Sequence, residues 1–280
     1  MSNHSGKLVA TKDNLCAIQC DVCCFKHLDP IPDTSIYPSG IYHSTMKPTM
    51  RDDYERDLAW HQAIHRDWLV LCESHLPNHR LLDVGCGTGH FLNSAQTFGL
   101  DATGVEPDYD LAHSDPRVAW CEYADYSGTD YGILSAHWVM EHLADPTHFL
   151  QWCYKRLATN GVLLITIPND FSSMQFRAME KINRPYYWLD KTHINYWSDD
   201  FTSFLWKNGF RCFDAYGSWQ PEQYLMDGLN YPDDPTLGCQ LHQQRIAHDL
   251  ETGDKYRRAK YQLWGWHSWG RDISYMAVKV

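Results

Sequence analysis

The stretch LLDVGCGTGHFL, residues 81–92, decides how this chain is expected to fold. Its first four residues are mostly apolar, which is typical of a fully buried strand. Gly85, Gly87 and Gly89 then interrupt the apolar run before a helical pattern begins. A buried strand, a tight glycine loop and a helix together form a frequent layout of nucleotide-binding sites. The stretch therefore predicts a ligand site at the end of this strand.

Composition limits the class of protein. The chain has 280 residues with 44% hydrophobic content, enough for a sizeable core, and it divides into an irregular Cys- and Pro-rich segment over 1–50 and a main domain over 51–280. No apolar run reaches the roughly 18 residues that a membrane span needs, and the polar start does not look like a signal peptide. A net charge of −11 argues against a nucleic-acid partner. We expect a cytoplasmic protein with reduced thiols and no membrane contact.

Strand and helix patterns alternate along most of the chain, which predicts an α/β fold with a mostly parallel sheet and helices on both faces. Residues 170–197 look aromatic and irregular, and residues 218–262 look like an insertion that forms either a second flap or a dimer contact. The predicted strands lie at 81–84, 101–105, 117–121, 131–136, 161–167 and in the final ISYMAVK, and the predicted helices lie within 52–76 and near 90–98, 108–113, 145–158 and 198–208.

The glycine spacing separates two kinds of nucleotide site. A dinucleotide fold wants Gly-x-Gly-x-x-Gly, which would place a glycine at position 90, where this chain has His90. Asp83 would also repel a pyrophosphate, yet it suits a ligand with an amine or a hydroxyl. Glu106 ends the second strand, where an acidic side chain can hold both hydroxyls of a ribose. The pattern therefore favours a cationic ligand that carries an amino group and a ribose.

Four segments in the same order resemble the class I methyltransferases that use S-adenosylmethionine, within the small-molecule group of ubiquinone and sugar O-methyltransferases. These segments are LLDVGCGTGHFL, GVEPD, HWVMEHLADPTHFL and LATNGVLLITIPN, over roughly residues 78–170. The segment DKTHINYWSDDFTSFLWKNGF and the closing WGRDISYMAVKV are similar to later parts of the family. The resemblance implies a Rossmann-like sheet of seven strands with an antiparallel last strand.

The resemblance also implies the cofactor, S-adenosylmethionine, and the residues that bind it. The glycine loop would surround the methionine part, Glu106 would hold the ribose, and the segment near Asp125 would contact the adenine. The residues implied as cofactor-binding are Asp83, Gly85, Cys86, Gly87, Gly89, Glu106, Pro107, Asp125, His137 and Trp138.

Methyl transfer requires a correctly positioned nucleophile, because the sulfonium of S-adenosylmethionine already carries an activated methyl group. A hydroxyl nucleophile would also lose a proton, which makes histidine the candidate general base because its pKa is near neutrality. His193 is the preferred base, with Asp190 three residues earlier to orient it, and His142 is the second candidate. A structural role is the alternative for both histidines.

The aromatic segment over 170–197 is expected to cover the acceptor as a lid. Flat rings stack on sugars or aromatic acceptors, and basic residues among them could pair with a phosphate or carboxylate. The alternative is that the rings are ordinary core and the basic residues a solvated face. The residues expected to bind the substrate are Phe176, Arg177, Arg184, Tyr187, Trp188 and Tyr196.

The segment CAIQCDVC near the N-terminus allows several interpretations. Its spacing matches that of radical enzymes that hold an iron–sulfur cluster, but those enzymes build a barrel after the cysteines, and this chain does not show that pattern. A zinc site is a second interpretation, since some sugar methyltransferases similar to this family begin with a zinc module, and ordinary thiols are a third. The zinc ligands would come from Cys16, Cys20, Cys23 and Cys24, or from His27 in place of the last.

The sequence therefore predicts a methyltransferase that uses S-adenosylmethionine on a small-molecule acceptor. A homodimer is compatible with this prediction. The favoured reaction is O-methylation of a sugar, a nucleotide-linked sugar or a similar metabolite in sugar biosynthesis. N- or C-methylation of a similar acceptor is the enzymatic alternative. A non-catalytic subunit that binds the cofactor as a scaffold is the alternative from another class.

Overall fold

The computed structural model describes residues 4–32, 54–187, 189–197 and 200–280. Two sheets organise these residues. The strands are β1 (Gly6–Lys12), β2 (Leu15–Cys20), β3 (Lys26–Leu28), β4 (Arg80–Val84), β5 (Asp101–Glu106), β6 (Val118–Trp120), β7 (Tyr131–His137), β8 (Leu157–Pro168), β9 (Asn195–Tyr196), β10 (Phe210–Gly217) and β11 (Asp272–Lys279).

The larger sheet has seven strands in the order β10-β11-β8-β7-β4-β5-β6. The strands from β8 to β6 run parallel, whereas β11 is antiparallel to both β8 and β10. This confirms the predicted α/β architecture with an antiparallel last strand. Because β4 lies between the parallel strands β7 and β5, the loop after it opens between two neighbours at the carboxyl edge of the sheet, where open α/β sheets bind ligands.

Helices cover both faces of this sheet. Leu81, Leu82 and Val84 of β4 are buried, as expected of a strand with helices on both sides. At the N-terminus of α4 (Pro146–Arg156), the side chain of Asp145 accepts a hydrogen bond from the amide of His148 at 2.8 Å, and Pro146 occupies the first turn. The helices are α1 (Leu58–Glu73), α2 (His90–Thr97), α3 (Tyr109–Ala112), α4 (Pro146–Arg156), α5 (Ser173–Ile182), α6 (Phe201–Lys207), α7 (Glu222–Met226), α8 (Pro235–Glu251) and α9 (Asp254–Trp266).

The N-terminal segment corrects the prediction that residues 1–50 are irregular. Within its described part, β1, β2 and β3 form an antiparallel meander, and β9 from the predicted lid extends it to a four-stranded sheet. Alternation was hard to see because β1 has only one fully buried residue and β3 has only three residues. Residues 33–53 lie outside the described residues.

The lid and the insertion are also more regular than predicted. The lid contains α5, whose N-cap Ser172 accepts from the amide of Gln175 at 3.3 Å and whose C-cap Asn183 is left-handed. Strand β10, which the sequence analysis did not predict, follows α6. The insertion consists of helices, and α9 packs on β10 so closely that a Cβ on Gly265 would lie 2.4 Å from the backbone of Ala215 and Tyr216. Helix α9 therefore covers this edge of the sheet, and the predicted role of the insertion as a flap or a dimer contact stays a prediction.

Candidate active site

The glycine loop between β4 and α2 has a backbone that only glycine adopts readily. Gly85, Gly87 and Gly89 all have positive φ angles, of 67°, 55° and 76°. The amide of Gly85 donates to the carbonyl of Val105 at 2.8 Å, which ties the loop to β5. A Cβ on Gly87 would meet nothing within 4 Å, so this part of the loop borders open space. The three glycines thus form a backbone cradle that a ligand can approach closely.

Asp83 lies below this loop, at 2% exposure. The hydroxyl of Ser135 on β7 donates to its Oδ1 at 2.7 Å. Burial raises the pKa of Asp83 to about 7, the Ser135 hydrogen bond lowers it, and the nearby charge of Glu106 raises it further. A cationic amino group would favour the ionised form of this carboxyl, as the sequence pattern predicts.

Glu106 ends β5 and links this strand to the glycine loop. Its Oε2 accepts from the amide of Gly87 at 2.9 Å, and its Oε1 accepts from the amide of Asp108 at 3.0 Å. Each carboxylate oxygen can accept more than one hydrogen bond, so Glu106 can still bind hydroxyl groups. Burial raises the pKa of Glu106, while these two amides lower it.

The other residues implied for the cofactor lie around these two acids. Cys86 packs its side chain inward, since a Cβ on Gly104 would lie 2.4 Å from its sulfur, so only its backbone faces the loop. Pro107 precedes α3 and accepts from Trp120 through its carbonyl at 3.0 Å. Asp125 is exposed in a short 3₁₀ turn beyond β6. Its role at the adenine stays a prediction.

His137 and Trp138 lie at the carboxyl end of β7. His137 pairs through Nδ1 with Thr166 at 2.8 Å and stacks on Trp68 with a ring separation of 4.7 Å. Its Nε2 is buried without a hydrogen-bond partner, and burial lowers its pKa to about 3. Trp138 has a φ of 54°, a rare angle for an aromatic residue, and donates to Asp272 at 3.0 Å. Such strained residues are frequent at functional sites.

The structure brings the two predicted bases together. The rings of His142 and His193 meet edge to face at 4.9 Å. Nδ1 of His142 lies 2.6 Å from the carbonyl of Thr192, so Nδ1 donates and Nε2 is the acceptor nitrogen. Burial lowers the pKa of both histidines, that of His193 to about 3, so both are neutral at pH 7.

Asp190 supports the pair through the turn that carries His193 and through its charge. Its Oδ1 accepts from the amide of Thr192 at 2.7 Å, and its carbonyl accepts from the amide of His193 at 3.2 Å. Its charge raises the pKa of both histidines against the effect of burial. Asp190 therefore orders the turn that carries His193, as well as acting through its charge.

Glu141 joins this pair and was not among the predicted site residues. It is 1% exposed, and neither carboxyl oxygen has a hydrogen-bond partner. Oε1 lies 3.9 Å from Nε2 of His142. Burial, and then the charges of Asp272 and Asp170, raise the pKa of Glu141 well above its usual range, so the carboxyl is neutral. With both histidines it forms a group whose ligand atoms lie within 4.8 Å of one another, close enough to bind a cation.

More acidic residues line this region, and none of them was among the predicted site residues. Asp170 and Glu222 are buried, and Arg271 lies 3.0 Å from Asp170 and 3.6 Å from Glu222. Asp272 binds Trp138 and, at 3.2 Å, the hydroxyl of Ser218. Three acidic residues, Asp170, Glu222 and Asp272, thus lie near one arginine, Arg271. This excess of acidic groups makes this side of the site poorly suited to an anion.

The predicted substrate residues are only partly brought together. Phe176 and Arg177 of α5 are exposed, and Arg184 pairs with Asp233 at 2.5 Å. Tyr187 reaches the carbonyl of Thr11 at 3.3 Å. Tyr196 is buried in a cluster with Leu28 and Phe171 and donates to the carbonyl of His193 at 2.6 Å, so it positions the histidine turn. Trp188 lies outside the described residues.

Comparison with known proteins places this geometry in a family. Residues 52–214 match the family of methyltransferase domains, and the chain belongs to that family. The family confirms the predicted methyltransferase, and two solved structures that share its fold hold S-adenosylhomocysteine. Two curated relatives are ubiquinone biosynthesis O-methyltransferases. The protein of Caulobacter sp. (strain K31) is 29% identical over 38% of this chain and 47% of its own length. That of Azorhizobium caulinodans is 28% identical over 32% and 40%. The chain thus matches less than half of either relative.

Two solved structures share the fold. Magnesium protoporphyrin IX methyltransferase of Synechocystis PCC 6803, with bound S-adenosylhomocysteine, has a TM-score of 0.56 and 14% identity, over 89% of this chain and all of that one. The 1,6-didemethyltoxoflavin-N1-methyltransferase of Burkholderia thailandensis has a TM-score of 0.53 and 12% identity, over 98% and 100%. At these identities the likeness concerns the fold. In the part of the chain that the structure describes, no helix is long and apolar enough to cross a membrane.

The residues at the carboxyl edge of the sheet fit S-adenosylmethionine. The open space beside Gly87 gives a ligand access to the cradle, and Glu106 bonds the amide of that same glycine. The buried Asp83 offers a negative charge to a cationic group, and the Nε2 of His137 is a buried nitrogen without a partner. Bound there, the cofactor supplies an activated methyl group.

Proposed function

We propose that this enzyme transfers a methyl group to a hydroxyl of a small, uncharged acceptor, a sugar or a phenol. The observation that carries the proposal is the neutral histidine pair beside the cofactor edge, in which His142 is locked with Nε2 as the acceptor nitrogen. An oxygen nucleophile must lose its proton as it attacks, and a neutral imidazole is the side chain suited to accept that proton at pH 7.

His142 is the better base of the two by geometry. Its donor position is committed to the Thr192 carbonyl, so the ring cannot turn without losing a 2.6 Å hydrogen bond. His193 then lies against it and, with Asp190, sets the orientation and charge around it. This reverses the preference that the sequence favoured, in which His193 came first.

The charge balance supports an uncharged acceptor. The basic residues of the lid are exposed or paired, as in Arg184 with Asp233. Arg271 is engaged by Asp170 and Glu222. A phosphate or carboxylate on the acceptor would therefore face carboxyls without a matching cation, which favours a hydroxyl compound that accepts and donates neutral hydrogen bonds.

Turnover with a panel of acceptors tests the proposal. Purified enzyme, S-adenosylmethionine and separate sugar, phenol and amine acceptors are incubated, and methylated products are identified by mass spectrometry. We expect O-methylated sugars or phenols as products. Methylation of amines alone would support the N-methyltransferase alternative. Cofactor binding with no product from any acceptor would support the scaffold alternative.

The variant His142→Asn tests the base directly. Asparagine can keep a donor near the Thr192 carbonyl but lacks the Nε2 acceptor, so we expect kcat to fall about 10²- to 10⁴-fold while cofactor affinity holds. Since burial lowers the pKa of His142, the wild-type rate should be flat above pH 7 and fall only at more acidic pH. His248→Asn, at an exposed histidine of α8, is the matched control. An unchanged kcat would make His142 structural.

The cluster of Glu141, His142 and His193 supports a second candidate mechanism, in which a divalent cation activates the hydroxyl. In that case the rate would depend on added Mg²⁺, and Glu141→Gln would abolish that dependence. A rate that is indifferent to added Mg²⁺ would leave proton removal by His142 as the mechanism. The predicted homodimer, sugar-biosynthetic role and cytoplasmic location stay predictions.

A further inference from the structure

A second group of side chains converges outside the methyl-transfer site, in the N-terminal sheet. His4 precedes β1, Cys20 ends β2, Cys23 lies in the following turn and His27 lies in β3. Their ligand atoms all lie within 4.8 Å of one another. Nδ1 of His4 is 3.5 Å from the sulfur of Cys20 and 3.4 Å from that of Cys23. The sulfur-to-nitrogen edge of a tetrahedral zinc site is about 3.6 Å, from bond lengths near 2.3 and 2.05 Å.

The turn between the two cysteines points their sulfurs to the same side. The amide of Cys24 donates to the carbonyl of Cys20 at 3.0 Å, and the amide of Cys23 faces the sulfur of Cys20 at 3.4 Å. Cys24 has a φ of 65°, which lets the chain leave the turn and pair the amide of Cys20 with Phe25 at 3.1 Å. The local backbone therefore arranges two sulfurs as neighbouring ligands.

His27 supplies an independent observation. It is 1% exposed, and its Nδ1 donates to the carbonyl of Leu28 at 2.8 Å. The other nitrogen, Nε2, is then the acceptor, and it is buried with no hydrogen-bond partner among the residues that the structure describes. Metal-binding histidines usually donate one ring N–H to a backbone carbonyl, which orients the other ring nitrogen toward the metal.

We propose that His4, Cys20, Cys23 and His27 form a structural zinc site. Two sulfurs and two nitrogens in a compact group select zinc among the common metals. All four positions come from the protein, so the ion has no open position for a substrate. Both cysteines bind as thiolates, so zinc binding releases their thiol protons to solvent.

The ligand set differs from the one predicted from the sequence. Cys20 and Cys23 belong to it, whereas Cys16 and the exposed Cys24 do not take part in the cluster that the described residues form. His4 was not predicted, because it lies far from the cysteines along the chain. With Cys16 outside the cluster, the three-cysteine arrangement of an iron–sulfur enzyme is absent from this part of the described chain.

The site also connects to the proposed base. His27 pairs with Asn195 of β9, and the amide of Leu28 donates to the carbonyl of Ile194 at 2.8 Å. The amide of Ile194 in turn donates to the carbonyl of Glu141 at 2.6 Å. The ion would therefore fasten the N-terminal sheet to the strand that follows His193.

Metal analysis of the full-length protein tests the proposal without any acceptor. After dialysis we expect about one zinc ion per chain by inductively coupled plasma mass spectrometry. Cys23→Ser and His27→Gln should lose that zinc, while Cys24→Ser and Cys16→Ser should keep it. Bound iron, equal zinc in ligand and control variants, or no zinc uptake by the wild type even when zinc is supplied would each overturn the proposal.

Two further readouts keep the test independent of folding and of the proposed function. Calorimetric titration with S-adenosylmethionine shows whether each variant keeps its cofactor site. If a ligand variant does not fold, Co²⁺ titration of the metal-stripped wild type decides instead: intense visible bands of tetrahedral thiolate coordination support the site, and weak octahedral bands overturn it. The zinc proposal can therefore be wrong while the proposed O-methylation is right, and the zinc proposal can be right while O-methylation is wrong.

Discussion

The glycine loop and the two acids of the cofactor side come from one continuous stretch, residues 80–108, whereas the acceptor side is assembled from segments that are distant in sequence. On the cofactor side, Glu106 bonds the amide of Gly87, only 19 positions away. On the acceptor side, Nδ1 of His142 donates to the carbonyl of Thr192, 50 positions away. The first kind of site can be recognised from a motif, while the second depends on how the whole chain packs.

The difference shows in the chemistry of the two sides. The cofactor side uses backbone geometry and two acids, which any chain with the same strand, loop and strand can provide. The acceptor side depends on burial, which keeps the histidines neutral and makes Glu141 a neutral acid. Its chemistry is therefore set by tertiary packing, and it should respond to mutations far from the site.

The largest effect should come from breaking the buried ion pair that joins α9 to α1. Arg257 of α9 is 1% exposed and lies 2.8 Å from the fully buried Asp67 of α1. We expect Arg257→Met to lower the free energy of unfolding by about 3 kcal/mol, because Asp67 would stay buried with only Arg258 and Tyr216 as partners. Urea denaturation measures the change.

Arg66→Met is the control for this pair. Arg66 lies on the same α1 helix, but it is largely exposed and 4.0 Å from Asp254. Exposed ion pairs contribute little, so its loss should cost less than about 1 kcal/mol. Equal losses in the two variants would mean that the buried pair does not hold α9 in place.

A smaller effect is expected on the cofactor side. Glu106→Ala should weaken binding of S-adenosylmethionine by about 1.5–3 kcal/mol, the range for hydrogen bonds to a charged group. Asp101→Ala, at the exposed opposite end of β5, should leave the affinity unchanged. Calorimetric titration measures both, and an unaltered dissociation constant in Glu106→Ala would remove this residue from the site.

The smallest effect separates backbone strain from ligand approach. Gly87 and Gly228 both have positive φ angles, of 55° and 85°, and a Cβ on either would meet nothing within 4 Å. Alanine at each position should therefore cost a similar 1–2 kcal/mol of stability, roughly the cost of a left-handed residue with a Cβ. Only Gly87→Ala should also weaken cofactor binding. If both variants bind the cofactor as the wild type does, Gly87 does not face it.

Most of the larger sheet was predictable, since buried strands and amphipathic helices leave periodic patterns that survive without tertiary context. Strand β10 and helix α5 were missed for a physical reason. In β10 three of the eight residues are partly buried and one is exposed, so its alternation is weak, and α5 buries just Gln175 and Ala178, so its buried face is small. The meander over β1–β3 was missed because β1 is mostly exposed and β3 has only three residues.

By itself, the sequence determined the fold family, the cofactor and the glycine loop with its two acids, because those features depend on neighbours along the chain. Only the tertiary structure brought Glu141 to the histidine pair, Arg271 to Asp170, and His4 to Cys20. Burial and convergence give these groups their pKa values and their partners. Neither property is encoded within any one segment, so neither could be derived before the segments were packed together.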